Sequence, residues 1–423
     1  MDGLFPRTLS AALRRVAGPY PVVYLTGPRQ SGKTTLARAT FPDFAYVNLE
    51  DLQRRAAVQE DPHGFLRSVA GEPGVIVDEA QRVPELFSYL QQVVDERRAG
   101  PFILTGSQQF LLGPQVSQSP AGRAAVLQLL PLSAAELWRR EALTPDGWAE
   151  AGPSGVGRGT GAAPPPPSSL DDVLFAGMYP AIHDRGLEPS QWLDSYLSTY
   201  VERDARLAGA IGDLASFARF VGLCAGRSGQ LVNLTSLGSD AGVSRVTVSR
   251  WLSILSASYI ITLLQTHHEN FSRRLVKTPK LYFLDTGLMC ALLGVRTAAD
   301  LRLHPLRGAV FETFVASELI KLFLHQGERA PVYFWRDSNG REVDALLDLG
   351  TSRVPIEAKA GMTVAADAFR GLETYERLAA SAAERAAAEG RPGYVTRRSV
   401  LVYGGDEWYE RRGHDVRPWW ACT

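Results

Sequence analysis

Three features of the sequence predict a multidomain α/β architecture. Apolar β-type runs at residues 22–25, 75–77 and 102–105 alternate with helix-permissive segments, the pattern of a parallel sheet covered by helices. The chain of 423 residues is longer than one core ordinarily organises, so two to four domains are expected. A stretch rich in glycine, proline and serine, residues 151–169, breaks the globular texture and reads as a flexible linker or surface insertion.

The first element carries the strongest signal. Gly27-Pro28-Arg29-Gln30-Ser31-Gly32-Lys33-Thr34 reads G-x-x-x-x-G-K-T, followed by Thr35, and stands between a β-type run and a helix-permissive one. Glycines at these positions let the backbone wrap a polyphosphate, with successive N–H groups and the helix N-terminus aimed at its charge. Lys33 is placed to reach the β- and γ-phosphates, and the Thr34 hydroxyl to complete a Mg²⁺ shell. ATP and Mg²⁺ are therefore the expected ligands.

The next strand, residues 75–77, ends in Asp78-Glu79, two carboxylates beside the expected phosphate site. Asp78 is the candidate for holding Mg²⁺ through its water shell, and Glu79 for polarising an attacking water. After the strand at 102–105 comes Gly106-Ser107, where Ser107, or else Thr105, would contact the γ-phosphate and report hydrolysis. Asn48-Leu49-Glu50-Asp51 reads as a cap for a following helix. Arg123 fits two readings, a finger on a neighbouring subunit's γ-phosphate and a plain surface arginine.

These motifs resemble a group of bacterial and archaeal AAA-type ATPases that carry a second, C-terminal domain of unassigned function. The resemblance covers most of the chain apart from the linker. It implies an ATP-hydrolysing domain, assigned to residues 1–145, with the compositional linker bounded at 146–169, and an arginine finger at Arg123 would entail a homo-oligomer through the ATPase domain.

A helical segment is expected over residues 170–300. Within it, residues 234–252 read as a helix-turn-helix, with Gly242 at the turn and Ser244 capping the second helix. Val248, Trp251, Leu252 and Leu255 share that helix's apolar face and leave Arg245, Thr247, Ser249 and Arg250 more exposed, as in a DNA-recognition helix. The runs 260–264 and 280–284 would be strands of a wing with a basic tip at 267–277, including Arg273 and Arg274, and His267-His268 reads as solvated wing surface. DNA contact and a packing role both fit a winged helix. Arg203, in a charged stretch between domains, reads as a surface ion-pair former or a relay of nucleotide state.

In the remaining region, 301–423, strands are expected at residues 343–348 and 354–359, joined by a glycine turn at Gly350-Thr351. That register places Asp344 opposite Glu357, and alternation puts Lys359 on the same face as Glu357. Opposed carboxylates repel unless a divalent cation bridges them, and Lys359 would then orient water or stabilise a phosphorane. Asp348 reads as a solvated neighbour. The pattern resembles the PD-(D/E)XK nuclease superfamily, which implies a restriction-endonuclease-like α/β domain with a Mg²⁺ or Mn²⁺ site. The family also places a glutamate on the preceding helix, where Glu312 fits better than Glu318, and Val343 stands where the motif's proline is expected. Residues 379–390 read as an exposed helix, and Trp419-Trp420 as packing residues.

Composition narrows the partners. Lys plus Arg and Asp plus Glu both number 45, so any nucleic-acid contact needs a local basic face. Cys224, Cys290 and Cys422 are far apart and form no C-x-x-C, as expected of reduced thiols without a zinc site. The opening residues lack a leader pattern and no apolar run spans a bilayer, so a cytoplasmic protein without a membrane partner is the expectation. The favoured reading is Mg²⁺-dependent ATP hydrolysis coupled to DNA engagement, with metal-dependent DNA cleavage. Two others remain open: a regulatory switch whose nuclease-like domain is idle, and an ATPase that remodels protein assemblies.

Overall fold

Among the described residues, β1 (Val22–Thr26), β2 (Ala45–Asn48), β3 (Val75–Asp78), β4 (Phe102–Gly106) and β5 (Ala124–Gln128) form a parallel sheet of order β2-β3-β4-β1-β5. The computed structural model describes residues 4–95, 100–106, 124–152, 166, 168–201, 211, 213–267, 277–390 and 393–422, of which 91–95 as helical backbone only. Two compact units result: Met1–Leu132 with Ala257–Tyr259 and Leu324–Arg329, and Ser133–Ser256 with Ile260–Phe323 and Ala330–Thr423.

The alternation of the strands explains the layers of the first unit. Val22, Tyr24, Val75, Val77, Phe102 and Leu104 enter one apolar cluster, whereas Val23, Leu25, Ile76 and Ile103 enter another. Apolar strands without polar gaps are what a sheet buried on both faces requires. Because β1, β4 and β3 are neighbours and run parallel, their C-terminal tips lie side by side at one end of the sheet, where the nucleotide motifs lie.

The second unit begins with helices and continues into a helix–strand–helix–helix–strand–strand order. This comprises helix Leu214–Ala225, β6 (Gln230–Leu231), helices Leu234–Ala241 and Arg245–Ala257, β7 (Ile261–Leu264) and β8 (Lys280–Phe283). The three strands form a sheet of order β6-β8-β7. Gly242 closes the first of the paired helices at φ 72°, a conformation that L side chains resist, and Ser244 Oγ accepts the Thr247 N–H at 3.1 Å to start the second. Val248, Trp251, Leu252 and Leu255 are buried and Arg245, Ser249 and Arg250 exposed, as expected from the sequence.

Seven more strands follow helix Arg307–Leu324: β9 (Val332–Arg336), β10 (Glu342–Asp348), β11 (Ser352–Lys359), β12 (Val395–Thr396), β13 (Val400–Tyr403), β14 (Tyr409–Arg411) and β15 (His414–Pro418). They form a mixed sheet of order β14-β15-β13-β11-β10-β9, with β12 beside β11. Helix Arg370–Ala388 covers one face through Leu372 and Tyr375, against Trp335, Val343, Leu346, Leu401 and Val416. Val343 and Leu346 share this cluster at an odd spacing because the β9–β10 ladder slips between them, adding one residue to β10.

Main-chain bonds from Phe334 to Gln265 and His267, at 3.1 and 2.8 Å, tie β9 to the chain leaving β7. His267 is thereby buried, and its Nε2 lies 3.0 Å from Asp348 Oδ2. This corrects the expectation of a solvated His267, whereas Asp348 keeps 26% of its side chain exposed. The remaining wing-tip residues 268–276, Arg203 and most of the linker lie outside the described residues.

Candidate nucleotide site and an acidic cluster

The phosphate-loop sequence folds as a tight turn between β1 and helix Lys33–Thr40. Gly27 sits at φ +146°, and a Cβ there would lie 2.1 Å from the Leu129 carbonyl oxygen. Gly27→Ala is therefore expected to lose nucleotide binding and lower the melting temperature, both readable in a thermal-shift titration with ATP. Pro28 is buried, Gln30 exposed at φ 58°, and the Ser31 hydroxyl donates to the Pro28 carbonyl at 2.9 Å. Arg7 donates to the carbonyls of Ser31 and Leu130 at 2.6 and 2.7 Å and braces the loop from outside the motif.

Lys33 is buried with its Nζ inside the loop, donating to the carbonyls of Gly27 and Pro28 at 3.0 and 2.6 Å. Burial lowers its pKa to about 8 despite the opposing fields of Glu79 and Asp78. The Thr34 hydroxyl lies 2.9 Å from both Asp78 carboxylate oxygens, and Thr35 is exposed. Asp78 also accepts from Tyr46 at 2.9 Å and from Thr105. Neither of these partners of Asp78 is legible in the motif itself.

Glu79 adopts φ 56°, ψ 41°, an uncommon left-handed conformation for a side-chain-bearing residue, and accepts from Gln81 Nε2 at 2.8 Å. Burial raises its pKa, offset in part by Lys33 and Arg29. Asp51 caps the helix beginning at Leu52, accepting from Gln53 and Arg54 N–H at 2.9 and 3.1 Å. Thr34 and Asp78 fit a hydrated Mg²⁺, because a hydroxyl and a carboxylate already meet within one hydrogen bond beside the loop. Ser107 and Arg123 lie outside the described residues.

The C-terminal residues converge as well. The β10–β11 register pairs Ala345 with Ile356 and Asp348 with Arg353, so Asp344 and Glu357 follow one step on. Asp344 Oδ2 accepts the Ala358 N–H at 2.9 Å. Lys359 Nζ lies 2.5 Å from Glu357 Oε1 and 3.9 Å from Asp344 Oδ2. Glu312 comes from helix Arg307–Leu324, whereas Glu318 turns elsewhere, to Lys321 Nζ and the Ala134 N–H, both at 2.8 Å.

Three residues absent from the sequence reading complete the cluster: Lys280, Tyr282 and Glu342. Lys280 and Tyr282 alternate on β8, and Glu342 lies two residues before Asp344 on β10. Glu312, Glu342 and Asp344 each offer an oxygen within 4.8 Å of the others. Lys280 Nζ lies 2.9 Å from Glu312 Oε1, against Glu342 Oε1, and 3.9 Å from Asp344 Oδ1. Tyr282 donates to Glu312 at 2.5 Å, and Arg336 holds the other Glu342 oxygen at 2.9 Å.

Burial, with Asp344, raises the pKa of Glu312 to about 7 and that of Glu357 to about 8. Four carboxylates, Glu312, Glu342, Asp344 and Glu357, already face three cations, Lys280, Arg336 and Lys359. The donor geometry suits a metal, but three cations already offset most of the carboxylate charge, and Lys280 stands where an ion between Glu312, Glu342 and Asp344 would lie.

Comparison with known proteins places the chain. Residues 19–138 match the family described as AAA domain, and residues 167–299 and 307–422 match two domains of unknown function, DUF8612 and DUF4143. The uncharacterized proteins Mb2031c of Mycobacterium bovis and Rv2008c of Mycobacterium tuberculosis are each 32% identical over 364 residues, covering 84% of this chain and 73% of theirs. The chain belongs to their family. With the loop and the parallel sheet, the AAA-domain match makes the N-terminal part of this family member a P-loop AAA-type ATPase that binds and hydrolyses ATP. Distant structural likenesses include the Walker-type ATPase PABY2304 of Pyrococcus abyssi, 15% identical, covering 68% of this chain and 96% of that one at a TM-score of 0.44. Another is a single-substitution variant of Thermotoga maritima RuvB, 17% identical, covering 60% and 87% at a TM-score of 0.29. No helix among the described residues is long and apolar enough to cross a membrane.

Proposed function

We propose that this ATPase couples Mg²⁺-dependent hydrolysis to DNA engagement by its second unit. The observation that carries the nucleotide half is the convergence of Lys33, Thr34 and Asp78 at one end of the sheet. In this reading Gly27, Pro28, Arg29, Gln30, Ser31, Gly32 and Thr35 line the phosphates with Lys33 and Thr34. Lys33 exchanges its two loop carbonyls for β- and γ-phosphate oxygens and offsets charge that develops on the γ-phosphoryl group. Thr34 and Asp78 would hold Mg²⁺, which supplies charge neutralisation across the phosphates when bound. Tyr46 and Thr105 fix the Asp78 carboxylate by hydrogen bonds. Glu79 accepts the proton of the attacking water, its raised pKa bringing it closer to neutral operation. Ser107 is assigned to γ-phosphate sensing, and Arg123 to a neighbouring subunit's site in a homo-oligomer.

The DNA half rests on the helix pair Leu234–Ala241 and Arg245–Ala257 beside the β6-β8-β7 sheet, the element order of a winged helix. The second helix carries Arg245 and Arg250 without an acidic residue, and Val246 beside them is 78% exposed. Cations that meet phosphates and an apolar group that meets a thymine methyl are the chemistry of a groove-reading helix. Arg245→Ala with Arg250→Ala is expected to weaken duplex binding and make the salt slope shallower by about 1 to 2. In the unaltered chain duplex DNA should stimulate ATP turnover. No stimulation, together with an unchanged slope in the double variant, would refute DNA engagement. The Asp344, Glu357 and Lys359 hairpin supports a nuclease-derived domain. The Lys280 ammonium among Glu312, Glu342 and Asp344 favours the idle form over one that cleaves DNA with Mg²⁺ or Mn²⁺.

A further inference from the structure

We infer that Lys280 is a built-in cation of the acidic cluster: its ammonium takes the position a divalent ion would hold between Glu312, Glu342 and Asp344. The position between these three carboxylates is thereby closed to metal, and β8 is fastened to the hairpin strand β10.

One oxygen of each carboxylate faces this group, and the Tyr282 hydroxyl shares that of Glu312. Glu312 Oε1 lies at 2.9 Å, Glu342 Oε1 in contact and Asp344 Oδ1 at 3.9 Å, so the three candidate ligands converge on Nζ. The outward oxygens are held separately, by Arg336 on Glu342 and by the Ala358 N–H on Asp344. A dication would need the inward lone pairs of Glu312 and Glu342 open, and both are taken.

Lys280 is also almost wholly enclosed. Its side chain is 2% exposed, with the rings of Phe334 and Tyr282 centred 5.6 and 5.8 Å from Nζ. A buried ammonium withdrawn from three carboxylates would leave both sides uncompensated, so ammonium and dication exclude each other. Because β8 pairs with β6 and β7, displacing Lys280 requires a disturbance of the sheet beside the helix pair. Burial works against the charge of Lys280, but Glu312, Asp344 and Glu342 outweigh it and hold its pKa above the ordinary lysine value.

The test uses the full, nucleotide-free chain and Mn²⁺ as probe, with bound ion counted by electron paramagnetic resonance. The unaltered chain and Glu312→Gln are expected to bind the same number of ions, whereas Lys280→Met gains one. That added site should be tighter by on the order of tenfold or more than any Glu312-dependent binding in the unaltered chain, and vanish when Glu312→Gln is added. An ion in the unaltered chain that Glu312→Gln removes would overturn the inference, as would a folded Lys280→Met that gains none. Should Lys280→Met fold only when Mn²⁺ is supplied, the inference holds. If it does not fold at all, the first comparison decides alone.

Discussion

Lys33→Ala is expected to lower ATP turnover by about 10²–10³-fold, the usual consequence of deleting one preorganised charge from a polar transition state. Two measurements separate its causes. Steady-state turnover should collapse, whereas equilibrium binding of a fluorescent ATP analogue should weaken far less, since the loop's backbone N–H groups remain. Lys33 donates to two loop carbonyls, so its removal also leaves these acceptors bare in a buried position. A small stability loss is therefore expected, and should be measured before the kinetics are interpreted. Turnover within tenfold of the unaltered chain would show that the ammonium is not the main charge partner of the reacting phosphate.

The largest stability effect is expected far from either cluster. Glu318 and Lys321 are 0% and 1% exposed and meet at 2.8 Å on consecutive turns of one helix, where Glu318 also accepts the Ala134 N–H at 2.8 Å. Glu318→Ala takes the 2.8 Å carboxylate partner from a buried ammonium and leaves the buried Ala134 amide without its acceptor. A loss of about 3–5 kcal/mol is expected, measured by urea denaturation. Glu318→Ala with Lys321→Met should recover part of it, because the ammonium that lost its nearest carboxylate is then removed as well. If the single variant lost under about 1 kcal/mol, the pair would be shown to reach water readily. ATP turnover is a poor readout here, and unfolding is the measurement that decides.

Legibility followed sequence distance. The phosphate loop could be read because its glycines, lysine and threonine lie within eight residues and the flanking strand and helix are local. The β10–β11 register could be read because a glycine turn fixes it: Gly350 stands at φ 79°, and the Leu349 N–H donates to the Ser352 carbonyl at 2.9 Å. Tyr46 could not, because its partner Asp78 lies 32 positions away, across a pairing of β2 with β3. Lys280 was hidden for the same reason, and its place in an apolar strand was the one available sign. His267 was misread because wing histidines are ordinarily wet, and its burial comes from the distant pairing with Phe334, its side-chain partner Asp348 lying 81 residues onward. Ser107 and Arg123 remain sequence assignments.

The slipped ladder in β10 has one more implication. Val343 faces the apolar cluster together with Leu346, while Glu342 and Asp344 meet Lys280, an arrangement that strict alternation could not provide. The acidic cluster is therefore recorded in residue count as much as in residue type. A relative with every one of these acids but one residue fewer between Val343 and Leu346 could not present the same cluster. In searching such sequences for a working or a silenced hairpin, spacing across this point is as informative as the carboxylates themselves.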